Sequence, residues 1–394
     1  MDATPRNIVW IAQWYPHEGE PYAGDFIQRH AQAVSLFLPI TVYACFGYDG
    51  DNKTTSHTNG NLTEHIDYFK KPDTGIAKLD KIIYWRRWYR ILQQHLKQHR
   101  QEKGKPNLLH CHIILNAGWL GLWAKRNWNI PFIVTEHWAG YMPGAINGYD
   151  AYNSWSKRKF HTIVRQASIV TGVSLALVEE LQALEPRGRF LRWPNVVNGK
   201  IFFCQSPPEA PPRPVFMHVS TLTGQKNPGG ILRAVALVKS IHPAVLLKIV
   251  GPPNRDYQLM SVELGISGNI EWLGEMPQDQ LAAHFDIAAA LVLFSKFESF
   301  GCVVIEANAT GLPVIVSDIA PLLELVTHQE NGLVVEEGNV ASLAAALASI
   351  IEQQLRLDRN AIANATLSQY AYEVVGKQMA DIYHHILDVQ TGGG

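Results

Sequence analysis

Cysteine is scarce in this chain: four residues in 394, at positions 45, 111, 204 and 302, with no C-x-x-C pair among them. Spaced that widely, they exclude a disulfide scaffold and a zinc knuckle and suit a reducing compartment. Long apolar runs are missing as well. No stretch approaches the ~18 consecutive apolar residues of a membrane span, and no basic segment leading into an apolar core opens the chain, so a soluble, cytoplasmic protein is expected. Charge of one sign is not in excess, with Lys+Arg 34 against Asp+Glu 35, which gives no electrostatic footprint for nucleic acid. The fingerprint G-x-G-x-x-G is absent, which counts against a dinucleotide-dependent dehydrogenase. What is present is ample apolar material, 47% of residues, and a length that one core rarely covers, so two domains are expected. Tryptophan is abundant at 11 residues. Core packing accounts for most of these, and stacking on sugars or seating at a membrane face are the other uses of such rings.

The most informative stretch is 287–332. Residues 288–294 form a short continuous apolar run that suits a strand buried on both faces. A polar loop, 295–299, follows. Residues 300–310 then show helical spacing, Gly311 stands where a helix ends, and Pro313 opens the next apolar run, 314–316. The pattern is one βαβ unit with two carboxylates, Glu298 in the loop and Glu306 in the helix. A helix beginning near Ser299 places Ser299, Val303 and Glu306 on one face. Glu306 then lies roughly 10 Å along the axis from the helix mouth. The amides of residues 299–302 at that positive end favour a phosphate. Taken alone, the two glutamates are equally readable as solvated acids at a helix start.

Around this unit the chain alternates strands and helices. Residues 8–12 are a strand, followed by a loop holding Gly19, Gly24 and Asp25 and a helix over 26–36. That puts the loop at the edge of a parallel sheet where α/β ligands bind. Residues 40–45 are a strand and 47–65 read as a long polar loop. Residues 81–100 form a basic, aromatic amphipathic segment, either packing its rings on the core or resting on an anionic membrane face or acceptor. The strand 108–114 carries His110 and His112, which point the same way, so metal binding is conceivable, but no third ligand is apparent. A strand over 131–136 ends at His137, a position that favours substrate contact over a purely structural role. Helices over 156–167 and 174–184 flank a strand at 169–173. Residues 206–214, SPPEAPPRP, read as a linker. Strands at 215–219, 246–250 and 270–273, a helix near Pro228, and helices over 341–353 and 372–387 complete the pattern, and residues 391–394 look unstructured.

The sequence Glu298-Ser299-Phe300-Gly301, then Glu306 and Ala307-Asn308-Ala309-Thr310-Gly311-Leu312-Pro313-Val314-Ile315, closely resembles the E-x7-E signature of the retaining, GT-B-fold "group 1" (GT4) glycosyltransferases. The resemblance extends over most of the chain. Pro194-Asn195-Val196-Val197-Asn198 is similar to the family's P-N-G-V-D, Gly251-Pro252-Pro253 to I-V-G-x-G, and residues 270–274 to V-x-F-L-G. The stretch 220–227 stands where the family shows G-R-L-x-x-x-K-G: Lys226 matches, whereas Thr221 replaces the arginine. Only Gly24 stands where the family usually has a Gly-Gly pair.

This resemblance implies an α/β GT-B fold with two facing Rossmann-like domains and an interdomain cleft. Residues 1–205 are the expected acceptor domain, 214–370 the donor domain, and 371–390 a helix crossing back to the first. The implied reaction is transfer, with retention, from a nucleotide-diphosphate sugar to a glycan, lipid-linked or small-molecule acceptor, plausibly in cell-envelope or extracellular polysaccharide synthesis. Glu298, His137 and Lys226 are the expected catalytic residues. Thr221, Lys226, Glu298, Ser299, Phe300, Gly301, Glu306, Gly251 and Met276 would bind the donor, and Gly24, Asp25 and His137 would form the acceptor and sugar loop. Lys226 would meet the diphosphate, unless it is merely a solvated surface lysine, with the hydroxyls of Ser220, Thr221 and Thr223 compensating for the missing arginine. No cofactor and no metal are expected, since no D-x-D occurs in the donor region. Nucleic acid is not an expected partner; peripheral contact with the inner face of the plasma membrane is. A GT-B phosphorylase, a sugar-nucleotide epimerase and a non-catalytic partner subunit share these features and stay open.

Overall fold

The computed structural model describes residues 6–205, 213–354 and 357–391. Most of the proline-rich stretch, 206–212, and residues 392–394 of the tail lie outside the described residues. Two compact units emerge. The first takes the residues up to Tyr141, Asn147–Val196 and those from Tyr372 on; the second takes Met142–Ile146 and Val197–Ala371.

The first unit is built on β1 (Ile8–Ala12), α1 (Asp25–Ser35), β2 (Ile40–Tyr48), β3 (Lys53–Asn59), β4 (Leu62–Lys70), α2 (Ala77–Glu102) and β5 (Leu108–His112). It continues through α3 (Ala117–Trp128), β6 (Phe132–Glu136), α4 (Ser154–Gln166), β7 (Ile169–Gly172), α5 (Leu175–Leu184) and β8 (Phe190–Arg192). The sheet order is β3-β4-β2-β1-β5-β6-β7-β8. Only β3 runs antiparallel. Strands β1, β5 and β6 are buried along their whole length; β1 is accordingly apolar throughout, whereas β5 and β6 bury His110, His112, Thr135 and Glu136 among apolar neighbours.

The hairpin β3–β4 corrects the expectation of a loop over 47–65. Every residue of β3 is exposed, so the segment carries no apolar alternation to mark it as a strand. Its signals were the threonines and the Gly60-Asn61 turn between the paired Asn59 and Leu62, where Gly60 takes φ +57°.

The second unit comprises β9 (Val215–Val219), α6 (Pro228–Lys239), β10 (Leu246–Val250), α7 (Arg255–Glu263), β11 (Ile270–Gly274) and α8 (Gln278–Asp286). After these come β12 (Ala290–Leu293), α9 (Cys302–Ala309), β13 (Val314–Ser317), α10 (Ala320–Leu323), β14 (Gly332–Val335), α11 (Val340–Ile351) and α12 (Arg359–Tyr370). Its parallel sheet has the order β11-β10-β9-β12-β13-β14. This is the doubly wound order 3-2-1-4-5-6, in which the chain reverses direction across the sheet between the first and fourth strands, here β9 and β12.

The last helix, α13 (Tyr372–Thr391), packs on α1 of the first unit. Val375, Met379, Tyr383 and Ile386 are buried in that unit's core. Gly376 lets the helices touch, since a Cβ there would lie 2.2 Å from the Ala33 carbonyl oxygen. Trp193 clamps the crossing by donating its indole N–H to the Val375 carbonyl at 3.1 Å.

Candidate active site

In the second unit the loops after β9 and β12 meet at the point where the strand order reverses. Gln225 Nε2 donates to the Phe297 carbonyl at 2.8 Å, and the Lys296 amide donates to the Gln225 carbonyl at 2.8 Å. Stapled in this way, the loops bring Lys226 Nζ to 2.5 Å from Glu298 Oε1. Ser295 Oγ donates to the same oxygen at 2.7 Å. Glu298 is only 4% exposed, so its charge is balanced by the lysine and the hydroxyl.

The β9 loop is held from beneath. His218 Nδ1–H donates to the Val292 carbonyl at 2.9 Å, which leaves Nε2 to accept from Ser220 Oγ at 2.8 Å. Ser220 Oγ in turn accepts the Leu222 amide at 3.0 Å. Burial lowers the His218 pKa to about 4, with the Lys226 charge adding to that effect, so the ring stays neutral and the chain of hydrogen bonds keeps its polarity. Gly251 closes on this turn: a side chain there would lie 2.1 Å from the Ser220 carbonyl oxygen. Thr221 is exposed on the loop, and Met276 sits half-buried after β11.

The helix α9 begins at Cys302, three residues later than the expected start, and Gly301 is its N-cap with φ +107°. Ser299 and Phe300 therefore belong to the loop, so Ser299 does not share a helical face with Glu306. Glycine at 301 explains the shift, because that conformation strains any residue with a Cβ. Glu306, four positions after Cys302, lies about 6 Å into the helix, is buried, and accepts from Gln278 Nε2 at 3.2 Å. Phe300 is buried behind the loop against Tyr370, with ring centroids 6.0 Å apart.

In the first unit, His137 follows β6 and His112 ends β5. His112 Nδ1 and His137 Nε2 are 3.0 Å apart. One ring donates to the other, and the outer nitrogens, His112 Nε2 and His137 Nδ1, are buried with no hydrogen-bond partner. In either tautomer pair one of these is an unsatisfied donor and the other an unsatisfied acceptor. Gly24 caps α1 in the left-handed conformation, and a Cβ there would lie 2.5 Å from the Trp14 backbone. Asp25 is held by Arg29 at 2.9 Å, and the next residue, Phe26, packs on the His137 ring at 4.9 Å. Gly24, Asp25 and His137 thus gather in the first unit, whereas Lys226, Glu298, Glu306 and Gly251 gather in the second.

Sequence reasoning passed over Glu136, Ser295, Gln225 and Gln278. Glu136 is fully buried and accepts the amides of Ile114, His137 and Trp138 at 2.9–3.0 Å, which fixes the β6 turn that presents His137. Burial pushes its carboxyl up to about 7, against the lowering effect of those amides. Its place directly before His137 was the available signal. His110 and His112 stack at 4.4 Å, and among the described residues no group of three or more His, Cys, Asp or Glu side chains is placed to hold a metal ion.

Comparison with known proteins covers both units. Residues 202–368 match the family model described as glycosyl transferases group 1, and residues 40–199 match that of glycosyltransferase family 4. The chain is similar to a D-inositol 3-phosphate glycosyltransferase of Corynebacterium efficiens, 24% identical over 73% of each chain. It is also similar to a glycogen synthase of Mycobacterium tuberculosis, 24% identical over 71% of this chain and 69% of that one. Among solved structures, sucrose-phosphate synthase from Thermosynechococcus elongatus superposes with a TM-score of 0.76 at 17% identity, covering 98% of this chain and 100% of the other. Anabaena HepE in complex with UDP superposes with a TM-score of 0.70 at 15% identity, covering 96% and 100%. At such identities the structural likeness speaks to the fold, which is GT-B.

Proposed function

The chain belongs to the group 1, family 4 glycosyltransferases, and from that premise we propose that it moves a sugar, with retention, from a nucleotide-diphosphate donor to a glycan, lipid-linked or small-molecule acceptor in envelope or extracellular polysaccharide synthesis. The observation that carries this reading is the Lys226–Glu298 pair at the point of the second sheet where donors of this fold class bind. When a donor enters, the Lys226 ammonium exchanges Glu298 for the diphosphate, and Glu298 is released to accept a sugar hydroxyl. Glu306, oriented by Gln278, takes the ribose hydroxyls. Loop amides at residues 299–301 add to the stabilisation of the leaving diphosphate.

The bond from the anomeric carbon to the diphosphate oxygen breaks and the bond to the acceptor oxygen forms on the same face. The acceptor proton passes to the departing diphosphate, so no enzyme carboxylate forms a covalent intermediate. Lys226 and the amides supply the positive field a metal would otherwise provide, which makes the reaction metal-independent on this reading. In the first unit, His137 offers its unpartnered Nδ1 to a hydroxyl of the transferred sugar.

Support for a UDP-type donor comes from HepE, whose structures hold UDP and UDP-glucose. A peripheral membrane contact is supported by the start of α2, where Ile76, Leu79 and Ile82 are exposed at a spacing of three among Lys78 and Lys81. Among the described residues no helix is long and apolar enough to cross a membrane.

The test is thermal stabilisation by UDP, GDP, ADP and TDP in EDTA. One base family should raise the melting temperature, with ~2.7 kcal/mol of stabilisation at about 100 times Kd. No shift with any nucleotide, or transfer abolished by EDTA, would sink this reading.

A further inference from the structure

The first unit holds a cavity of about 990 Å³, at the upper limit of the roughly 300–1,000 Å³ typical of ligand pockets. It opens at the C-terminal ends of β1 and β2, the sheet edge where α/β proteins bind ligands. Three of its walls are aromatic: Trp14 from the β1 loop, and Tyr84 and Trp85 from α2. A fourth is the His17 imidazole lying flat on Phe46, with centroids 3.9 Å apart and planes 8° from parallel.

Glycine makes the rings fit. A Cβ at Gly47 would lie 2.7 Å from the Tyr84 ring, and one at Gly50 would lie 2.4 Å from the Tyr48 ring. The rim is also stiff, since the 17–20 turn is closed by backbone hydrogen bonds of 2.9 and 3.3 Å between His17 and Glu20.

The polar groups decide what such a cavity accepts. Gln13 Oε1 is buried with no hydrogen-bond partner, an acceptor waiting for a donor. Glu20 and Asp49 add two carboxylates, against a single cation, Lys71, which already lies 3.6 Å from Asp49. A diphosphate or anionic headgroup would meet two carboxylates against one lysine, a net negative charge. A ligand bringing hydroxyl donors and flat C–H faces satisfies every feature at once: its hydroxyls meet Gln13, Glu20 and Asp49, and its faces lie on the rings.

We propose that this cavity is a carbohydrate subsite that holds the neutral glycan portion of the acceptor, one or more sugars away from the residue that is glycosylated. Its position supports the offset. Trp14 packs on Phe26 at 6.4 Å, and Phe26 packs on His137 at 4.9 Å, so the cavity lies two rings from the histidine assigned to the transferred sugar. The proposal deepens the transferase reading and rests on it for the direction of the glycan, though not for the binding itself. The acceptor is then an oligosaccharide rather than a single small molecule.

The experiment is titration of the full chain with neutral linear trisaccharides of glucose, galactose, mannose and N-acetylglucosamine and with sulfated glycan fragments, followed by tryptophan fluorescence and calorimetry. A neutral trisaccharide should bind. Trp85→Ala should weaken it about tenfold, the order expected for one lost stacking face. Gln13→Leu should weaken it several-fold. Because Trp85 also packs on Trp88, the nearly isosteric Gln13→Leu keeps the test readable if the alanine variant is unstable. The ratio of oligosaccharide to monosaccharide kcat/KM should fall with the same variants. Binding confined to sulfated glycans, affinity unchanged in both variants, or no neutral trisaccharide bound would each overturn the proposal. UDP stabilisation measured on the same samples separates the two readings: its loss counts against the donor assignment and leaves the saccharide result intact.

Discussion

Glu298 shows how one residue can serve fold and chemistry at once. In the resting chain its carboxylate takes charge from Lys226 and a hydrogen bond from Ser295. Replacement by alanine therefore does two things: it removes the proposed sugar contact and leaves a lysine and a hydroxyl unpaired near a buried site, where breaking a pair costs roughly 3–5 kcal/mol before any allowance for solvent. Lys226, with its side chain 20% exposed, recovers part of that loss from water. Glu298→Gln is the cleaner variant, because its amide oxygen still accepts from Ser295. Transfer by this variant should fall by roughly 10²–10³-fold, the range seen when one oriented polar group is removed from a reacting centre. Its melting temperature should stay close to that of the parent, while Glu298→Ala should lose both. Full turnover in Glu298→Gln, measured as nucleotide release with acceptor present, would remove Glu298 from the mechanism.

At the scale of elements, the contact of α13 with α1 depends on the absence of one side chain. Alanine at 376 would favour the helix intrinsically by roughly 1 kcal/mol over glycine. Its Cβ, however, would lie 2.2 Å from a backbone oxygen that cannot swing aside. Overpacking of that kind costs roughly 1–3 kcal/mol, so the clash wins. Gly376→Ala should lower the melting temperature by several degrees, and a stabilised variant in a thermal melt would show that α13 does not pack as described.

The same elements show what could be read from the sequence. Strands β1, β9 and β10 appeared at their full bounds because burial on both faces imposes apolar runs, broken only by His218 in β9 and Lys248 in β10, and the spacing of Val375, Met379, Tyr383 and Ile386 marked the buried face of α13. The hairpin strand β3 did not appear, since all of its side chains face water. The start of α9 was misplaced because Gly301 acts through its backbone conformation, to which side-chain periodicity is blind. Within the site, Glu298 and Lys226 stood out through motif resemblance. Gln225 and Gln278, which hold loops and partners in place, belong to no repeating pattern and became visible only through their hydrogen bonds.

For the molecule as a whole, buried histidines govern the response to acid. His30, His99, His110, His112 and His137 lie in the first unit, and His218 in the second. Burial lowers the pKa of His30 from 6.5 to about 3 and of His99 and His218 from 6.5 to about 4, and holds the other three well below their ordinary value. A lowered folded-state value means that below pH 6.5 the unfolded chain takes up protons the native chain refuses. Stability is therefore full above about 6.5 and is lost as the pH falls toward 4. One pH unit below 6.5, each such histidine withdraws about 1.4 kcal/mol. Glu136 works the other way: its carboxyl, raised to about 7, binds a proton in the native state that the unfolded chain has released, so stability rises as the pH falls through 7 toward its ordinary 4.5. With five buried histidines against that one carboxyl in the first unit and one in the second, the histidines prevail, most strongly in the first unit. Calorimetric melts between pH 7.5 and 5.5 should show unfolding temperatures that fall with acidification. The transition of the second unit, identified on the proposed function by its shift with bound nucleotide, should move least. A first-unit transition that stayed flat or rose would mean that these rings are protonated in the native state, with both nitrogens of a charged ring acting as donors.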